Sequence, residues 1–251
     1  MVWGMILPSG FGEFWPLGQF EGRGSPLHDG WGERLKDHYR AQMPKEQKAL
    51  FDYVNTGQAS TAHWYPGYVS RKFISESGTA ESQYDPPSTP IKSYEAPRFF
   101  QTEKAYKSLG SLIKLNDRIV AVDEGLKKNI ERLEPGSHQF FPIEIRMLRA
   151  KIYPGKYYTL AIGQYFDSFS PEDSKEGSFS DYGPDYPNHY KPPHTKMNVT
   201  GLALSRSAFG KAHLWRERGF GEWLTCFSDE LVAATAEAGL RIPKHYRMKE
   251  V

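Results

Sequence analysis

Asp185, His189 and His194 are the densest set of metal-ligating residue types in this sequence. A zinc site needs three or four His, Cys or carboxylate ligands converging on one tetrahedron. The two histidines stand either side of Lys191-Pro192-Pro193, so no helix can place them on one face. A polar loop is the competing reading, and a small metal-dependent hydrolase is one alternative to carry forward. Glycosidase chemistry needs two carboxylates facing each other across a cleft. The adjacent pairs are Glu172-Asp173, which also reads as a solvated loop, and Asp123-Glu124, which fits a helix cap and first turn. Acyl transfer needs a nucleophile in a strained turn with a base in reach. No Gly-x-Ser-x-Gly elbow exists, and Gly110-Ser111 and Ser60-Thr61-Ala62-His63 lack the flanking glycines. Gly22-Arg23-Gly24 has no strand before it and no Lys-Ser/Thr after it, so it does not read as a phosphate loop. Cys226, the single cysteine, lies in an apolar run and reads as a buried inert thiol or, less simply, a lone nucleophile. The residues therefore assign no catalytic, metal or cofactor site, and the expectation is a binding protein rather than an enzyme.

The richest surface chemistry lies in a long insertion over residues 167–198, which holds five prolines. From Phe166 to Pro187 the acids are Asp167, Glu172, Asp173, Glu176, Asp181 and Asp185; Lys175 is the lone base, for a net charge of −5. Phe166, Phe169, Phe179, Tyr182 and Tyr186 are interleaved with them. A solvated loop is one reading. The other is a protein-binding edge, in which aromatic rings supply buried contact area and carboxylates attract a basic partner. On that reading the candidate contact residues are Phe169, Glu172, Asp173, Phe179, Asp181, Tyr182, Asp185 and Tyr186. The density of acid argues against this segment touching nucleic acid.

The elements that must carry this insertion show one local design used twice. Val122-Asp123-Glu124-Gly125-Leu126 leads to Ile130, Leu133 and Gly136; Phe227-Ser228-Asp229-Glu230-Leu231 leads to Ala234, Ala238 and Gly239. Each reads as a strand end, an oxygen-bearing N-cap, an acidic first turn, a short amphipathic helix and a glycine stop. Strands are predicted over 64–74, 119–122, 139–147, 157–166 and 202–204. A further pair, 213–216 and 223–227, is joined as a hairpin through Gly219 and Gly221. Helices are predicted over 33–54, with Pro44 opening a second segment, and over 102–109, capped by Thr102. Residues 3–32 read as irregular structure pinned by aromatic anchors, and 76–98 as a Pro-rich connection. The basic tail, 240–249, reads as a solvated end with a short edge strand. Strands and helices alternate without a steady β-α-β rhythm, which predicts an α+β class: a mixed, mainly antiparallel sheet flanked by short helices, with a long Pro-rich insertion.

Composition bounds the rest. The 251 residues are 39 % hydrophobic, 14 % aromatic and 25 % charged, with a net charge of +2. Large side chains can fill a core despite the modest apolar total. So small a net charge does not by itself imply nucleic-acid binding. No apolar run reaches the length a membrane helix needs, and the N-terminus lacks a signal-peptide pattern, so the expected location is the cytoplasm, without membrane contact.

The second half, roughly residues 111–251, resembles immunity protein family eleven of bacterial polymorphic-toxin systems. Three stretches carry the likeness. They are Val120 to Ile130 with Phe140-Phe141-Pro142-Ile143; Tyr157-Tyr158-Thr159-Leu160 with Phe166-Asp167-Ser168; and His213-Leu214-Trp215-Arg216 with Cys226 to Leu231 and Ala238-Gly239-Leu240. The resemblance implies a protein that binds and neutralises a cognate effector toxin, probed best through the adjacent gene, with no catalytic residues to carry over. It divides the chain into an irregular and helical region of unknown type, 1–110, and an immunity-like α+β domain, 111–251. An adaptor or loading role for a secreted effector, docking through the Gly- and Trp-rich N-terminus, is a further alternative. The sequence leaves the oligomeric state open.

Overall fold

The computed structural model describes residues 1–21, 30–42, 64–74 and 90–251. Its strands are β1 (Val2–Ile6), β2 (Gly18–Phe20), β3 (Phe99–Thr102), β4 (Leu112–Lys114), β5 (Val120–Asp123), β6 (Gln139–Arg146), β7 (Tyr157–Ala161), β8 (Tyr165–Phe166), β9 (Ala203–Leu204), β10 (Leu214–Glu217), β11 (Leu224–Ser228) and β12 (His245–Glu250). Its helices are α1 (Trp31–Gln42), α2 (Trp64–Ile74), α3 (Glu124–Leu133), α4 (Lys196–Gly201), α5 (Arg206–Phe209) and α6 (Asp229–Glu237).

The strands form two sheets. One runs β8-β10-β11-β1-β12-β9, the other β2-β3-β6-β7-β5-β4. Among the described residues three pairings, β8–β10, β9–β12 and β3–β6, are parallel and the rest antiparallel. This is the expected α+β class with mainly antiparallel pairing.

The twice-used local design holds in both copies. Asp123 Oδ1 accepts the Leu126 N–H at 2.8 Å at the start of α3, and Ser228 Oγ accepts the Leu231 N–H at 3.1 Å at the start of α6. Each bond satisfies a donor that the first helical turn would otherwise leave unpaired, worth about 1 kcal/mol. Gly136 (φ +76°) and Gly239 (φ +64°) turn the chain away after the helices. The two helices pack together, Asn129 Nδ2 donating to Ala234 O at 3.1 Å. Beneath them Leu126, Ile130 and Leu231 share a core with Met5, Val122, Leu160, Leu214 and Phe227, so one apolar cluster joins the two sheets. A second core lies under α1 and α2, around Leu35, Phe73, Phe100 and Ile143. A third holds Val2, Trp215, Phe220, Leu224 and Met248.

A buried carboxylate reinforces the junction between the sheets. Glu134, just past α3, accepts from His138 Nε2 (2.8 Å), Gln164 Nε2 (2.6 Å) and the backbone N–H groups of His213 (2.5 Å) and Leu214 (3.0 Å). Burial pushes its ionisation upward, but these donors outweigh it and hold the carboxyl below the usual range.

Several expectations need correction. Residues 64–74 are helical, not a strand: Val69 and Phe73, four apart, are fully buried on one face. Residues 102–109 are not a helix. Thr102 ends β3, and its hydroxyl bonds Lys104 O and Arg146 O instead of capping a turn. Residues 2–6 are no irregular anchor but a central strand, between β11 and β12. Gly4 permits that position, since a Cβ there would come within 2.8 Å of Met248 Sδ and 2.9 Å of Val199 Cγ1. The predicted strand 157–166 splits, β7 joining one sheet and β8 the other. The tail strand β12 is interior, flanked by β1 and β9, not an edge. The helix extension after residue 42, with Pro44, and the connection up to residue 89 lie outside the described residues.

Candidate partner-binding surface

The Pro-rich segment 167–198 is mounted on the end of β10. Glu217 is 1 % exposed, and its carboxylate accepts the Ser168 N–H (3.0 and 3.2 Å), the Ser168 hydroxyl and the backbone N–H groups of Phe169 and Gly219. Burial pushes its pKa up to about 7 against the pull of those donors. Above this clamp four rings interlock. Phe169 lies 5.0 Å from Phe179, 4.6 Å from Tyr190 and 4.9 Å from Phe220, mostly edge to face. The Tyr190 N–H donates to Gly219 O at 2.8 Å, and the backbone at Gly219 is closely approached: a Cβ there would lie 3.0 Å from Asn188 O and from the Tyr190 ring, a tight contact.

From this plug residues 180–191 project as a narrow two-stranded arm. Lys191 N–H donates to Ser180 O (2.8 Å) and Tyr182 N–H to His189 O (3.1 Å). The tip is closed by Tyr186 N–H on Gly183 O at 3.0 Å, with Gly183 at φ +94° and Asn188 at φ +60°. Asp181 Oδ1 accepts the Gly183 N–H at 3.0 Å. Tyr182 and Tyr186 are 51 % and 61 % exposed, with ring centroids 6.3 Å apart. Asp181 and Asp185 are exposed beside them.

The eight candidate contact residues thus fall into two groups. Phe169 and Phe179 are half-buried in the plug and anchor the arm. Glu172, Asp173, Asp181, Tyr182, Asp185 and Tyr186 are exposed. Part of the acidic charge is already matched: Asp167 pairs with Arg218, and Asp173 lies 3.6 Å from Lys249 Nζ. Sequence reasoning missed Glu217, Ser168, Tyr190 and Phe220, which form the mount. The available signal was Arg216-Glu217 at the end of an otherwise apolar strand, followed by Gly219-Phe220-Gly221.

The chemical alternatives find less support. Asp185, His189 and His194 are exposed, and His189 Nδ1 lies 2.9 Å from Pro187 O. Among the described residues no group of three His, Cys, Asp or Glu is placed to hold a metal ion. Cys226 is wholly buried, which drives its thiol well above the ordinary range and makes it a poor nucleophile. The segments around Ser60-His63 and Gly22-Gly24 lie outside the described residues. An open groove of about 520 Å³ on the other sheet is edged by Arg98, Glu144 and Lys156, but Glu144 is engaged by Arg146. No helix among the described residues is long and apolar enough to cross a membrane.

A search of curated proteins finds no match to the chain. A family model does match, over residues 40–249. That span is wider than the C-terminal half that carries the resemblance, and takes in α2, β3 and the later strands of both sheets, but not β1 or β2. The chain belongs to the immunity protein family Imm11.

Proposed function

We propose that this chain acts in the cytoplasm, where it binds a cognate bacterial effector toxin and neutralises it by covering its working surface, making and breaking no bond. Membership of an immunity protein family supports the class of partner. The observation that carries the choice of surface is the arm of residues 180–191. It holds two tyrosines more than half exposed on a base fixed by a buried carboxylate and four packed rings. Exposed tyrosines lose little side-chain freedom on binding and supply large contact area; flanking carboxylates steer a basic partner and fix its orientation. Glu172, Asp173, Asp181, Tyr182, Asp185 and Tyr186 are the contact group, while Phe169 and Phe179 set their position.

Co-expression with the toxin encoded by the adjacent gene tests the reading. The expected result is rescued growth and a complex that survives size-exclusion chromatography. Absence of both would refute it.

A further inference from the structure

A second surface of different chemistry lies on the other sheet. Along β6 the side chains of Phe141, Ile143 and Ile145 enter the core under α1 and α2, so Pro142, Glu144 and Arg146 stand on the opposite face. Past Arg146 the chain turns back on itself. The Met147 N–H donates to Lys151 O at 2.6 Å, Arg146 bridges to Ile152, and the Tyr153 N–H donates to Ile145 O at 2.8 Å. This hairpin exposes Leu148 and Ile152, by 52 % and 54 %. Ile152 continues into the open groove of about 520 Å³, which Pro142, Glu144, Pro154, Lys156 and Tyr158 also line. At the hairpin tip Arg149 (φ +61°) holds the left-handed conformation that such a turn ordinarily gives to glycine or asparagine.

The rim of this groove carries an excess of positive charge. Among the described residues neither the Arg149 guanidinium nor the Lys151 ammonium has an ion-pair, hydrogen-bond or ring partner, and both residues are exposed. The carboxylates that meet two other rim cations are shared. Buried Glu21 serves both Arg34 (3.0 Å) and the exposed Arg98 (3.2 Å), and Arg98 O accepts the Glu144 N–H at 2.9 Å. Glu124 lies 3.7 Å from Lys156 Nζ and 3.9 Å from Lys128 Nζ. Arg146 is matched by Glu144. We infer that the groove and its hairpin dock an acidic, extended segment of a protein partner. Its carboxylates would meet Arg149, Lys151, Arg98 and Lys156, and its aliphatic side chains would lie against Leu148, Ile152 and Pro142. A chain can enter a groove, whereas a planar bilayer would touch only the hairpin tip. Bases find few free ring faces here, because the Arg146 guanidinium lies 3.7 Å over Phe99 and Lys127 lies 5.2 Å from Phe140 and 5.1 Å from Tyr158. The inference stands independently of the toxin reading.

The test uses the full chain and a short dye-labelled peptide of alternating leucine and glutamate, with binding followed by fluorescence anisotropy at low and high salt. Salt-sensitive binding is expected, weaker for a peptide with serine in place of leucine and lost with glutamine in place of glutamate. Binding should weaken about tenfold or more in the Arg149→Asn, Lys151→Gln double variant and remain unchanged in an Asp181→Asn, Asp185→Asn variant of the arm. Both hairpin positions are exposed, and asparagine accepts the left-handed backbone at residue 149. Should the double variant fail to fold, Leu148→Ser is expected to weaken binding severalfold with an unchanged thermal midpoint. Absence of peptide binding, or binding that ignores these changes, overturns the inference. So does tighter binding, through the same residues, of a single-stranded DNA oligonucleotide or of phosphatidylserine vesicles, or self-association of the chain, seen by sedimentation, that the double variant abolishes.

Discussion

Glu217→Gln should remove a distinctive pH dependence from the stability of the fold. In the folded chain the Glu217 pKa is raised to about 7, mainly by burial, against 4.5 for the unperturbed group. A raised carboxyl pKa means that folding disfavours the ionised form. The penalty is absent below about pH 4.5, grows as pH rises through the interval, and is complete above about pH 7. At about 1.4 kcal/mol per pH unit the interval is worth about 3 kcal/mol. Glutamine keeps the size of the side chain but cannot ionise. Urea denaturation of both proteins between pH 4.5 and 7.5 isolates the effect, because every other titrating group is common to the pair. The stability of wild type relative to the variant should fall by about 3 kcal/mol as pH rises. Any constant offset, from an amide nitrogen facing four donors, leaves that slope intact. A flat difference, or wild type gaining on the variant with rising pH, would refute the reasoning and mean that the donors outweigh burial at Glu217, as they do at Glu134.

Three other expectations follow from the same geometry. Tyr182→Ala and Tyr186→Ala should leave stability within about 0.5 kcal/mol, checked by thermal melting. Each should weaken toxin binding by about 2 kcal/mol, roughly thirtyfold, in calorimetric titration. Phe169→Ala should cost about 2–4 kcal/mol, somewhat less than a fully buried phenylalanine, and should expose residues 180–191 to limited proteolysis. Deleting residues 1–6 should abolish cooperative unfolding in calorimetry. β1 pairs with both β11 and β12, and its Val2 and Met5 fill two different cores; a variant that folded without it would favour the adaptor reading for the N-terminus.

What was legible in the sequence was what short-range chemistry fixes. Asp123 and Ser228 announce their helices because a cap, its acceptor and the apolar face all lie within one or two turns. The β10–β11 pair was readable for the same reason, its turn lying between two apolar runs. What failed depended on partners distant in the chain. The Gly4 strand is short and glycine-interrupted, and only Met248 and Val199, brought close by β12 and α4, show why glycine is needed there. The aromatic, β-branched run 64–74 favours a strand locally, yet Val69 and Phe73 face a core assembled largely from later residues. The candidate surface divided along the same line. The exposed tyrosines and acids could be named from composition, but not the Glu217 clamp, most of whose donors come from Ser168 and Phe169, about fifty positions earlier.

The stoichiometry of inhibition tests most directly whether this chain works by occlusion alone. Purified toxin at fixed concentration, titrated with the chain, should lose activity in proportion to the amount added and reach zero near one equivalent. The residual activity at each point should not drift with time. Progressive inactivation by a small fraction of an equivalent would show turnover and contradict the account.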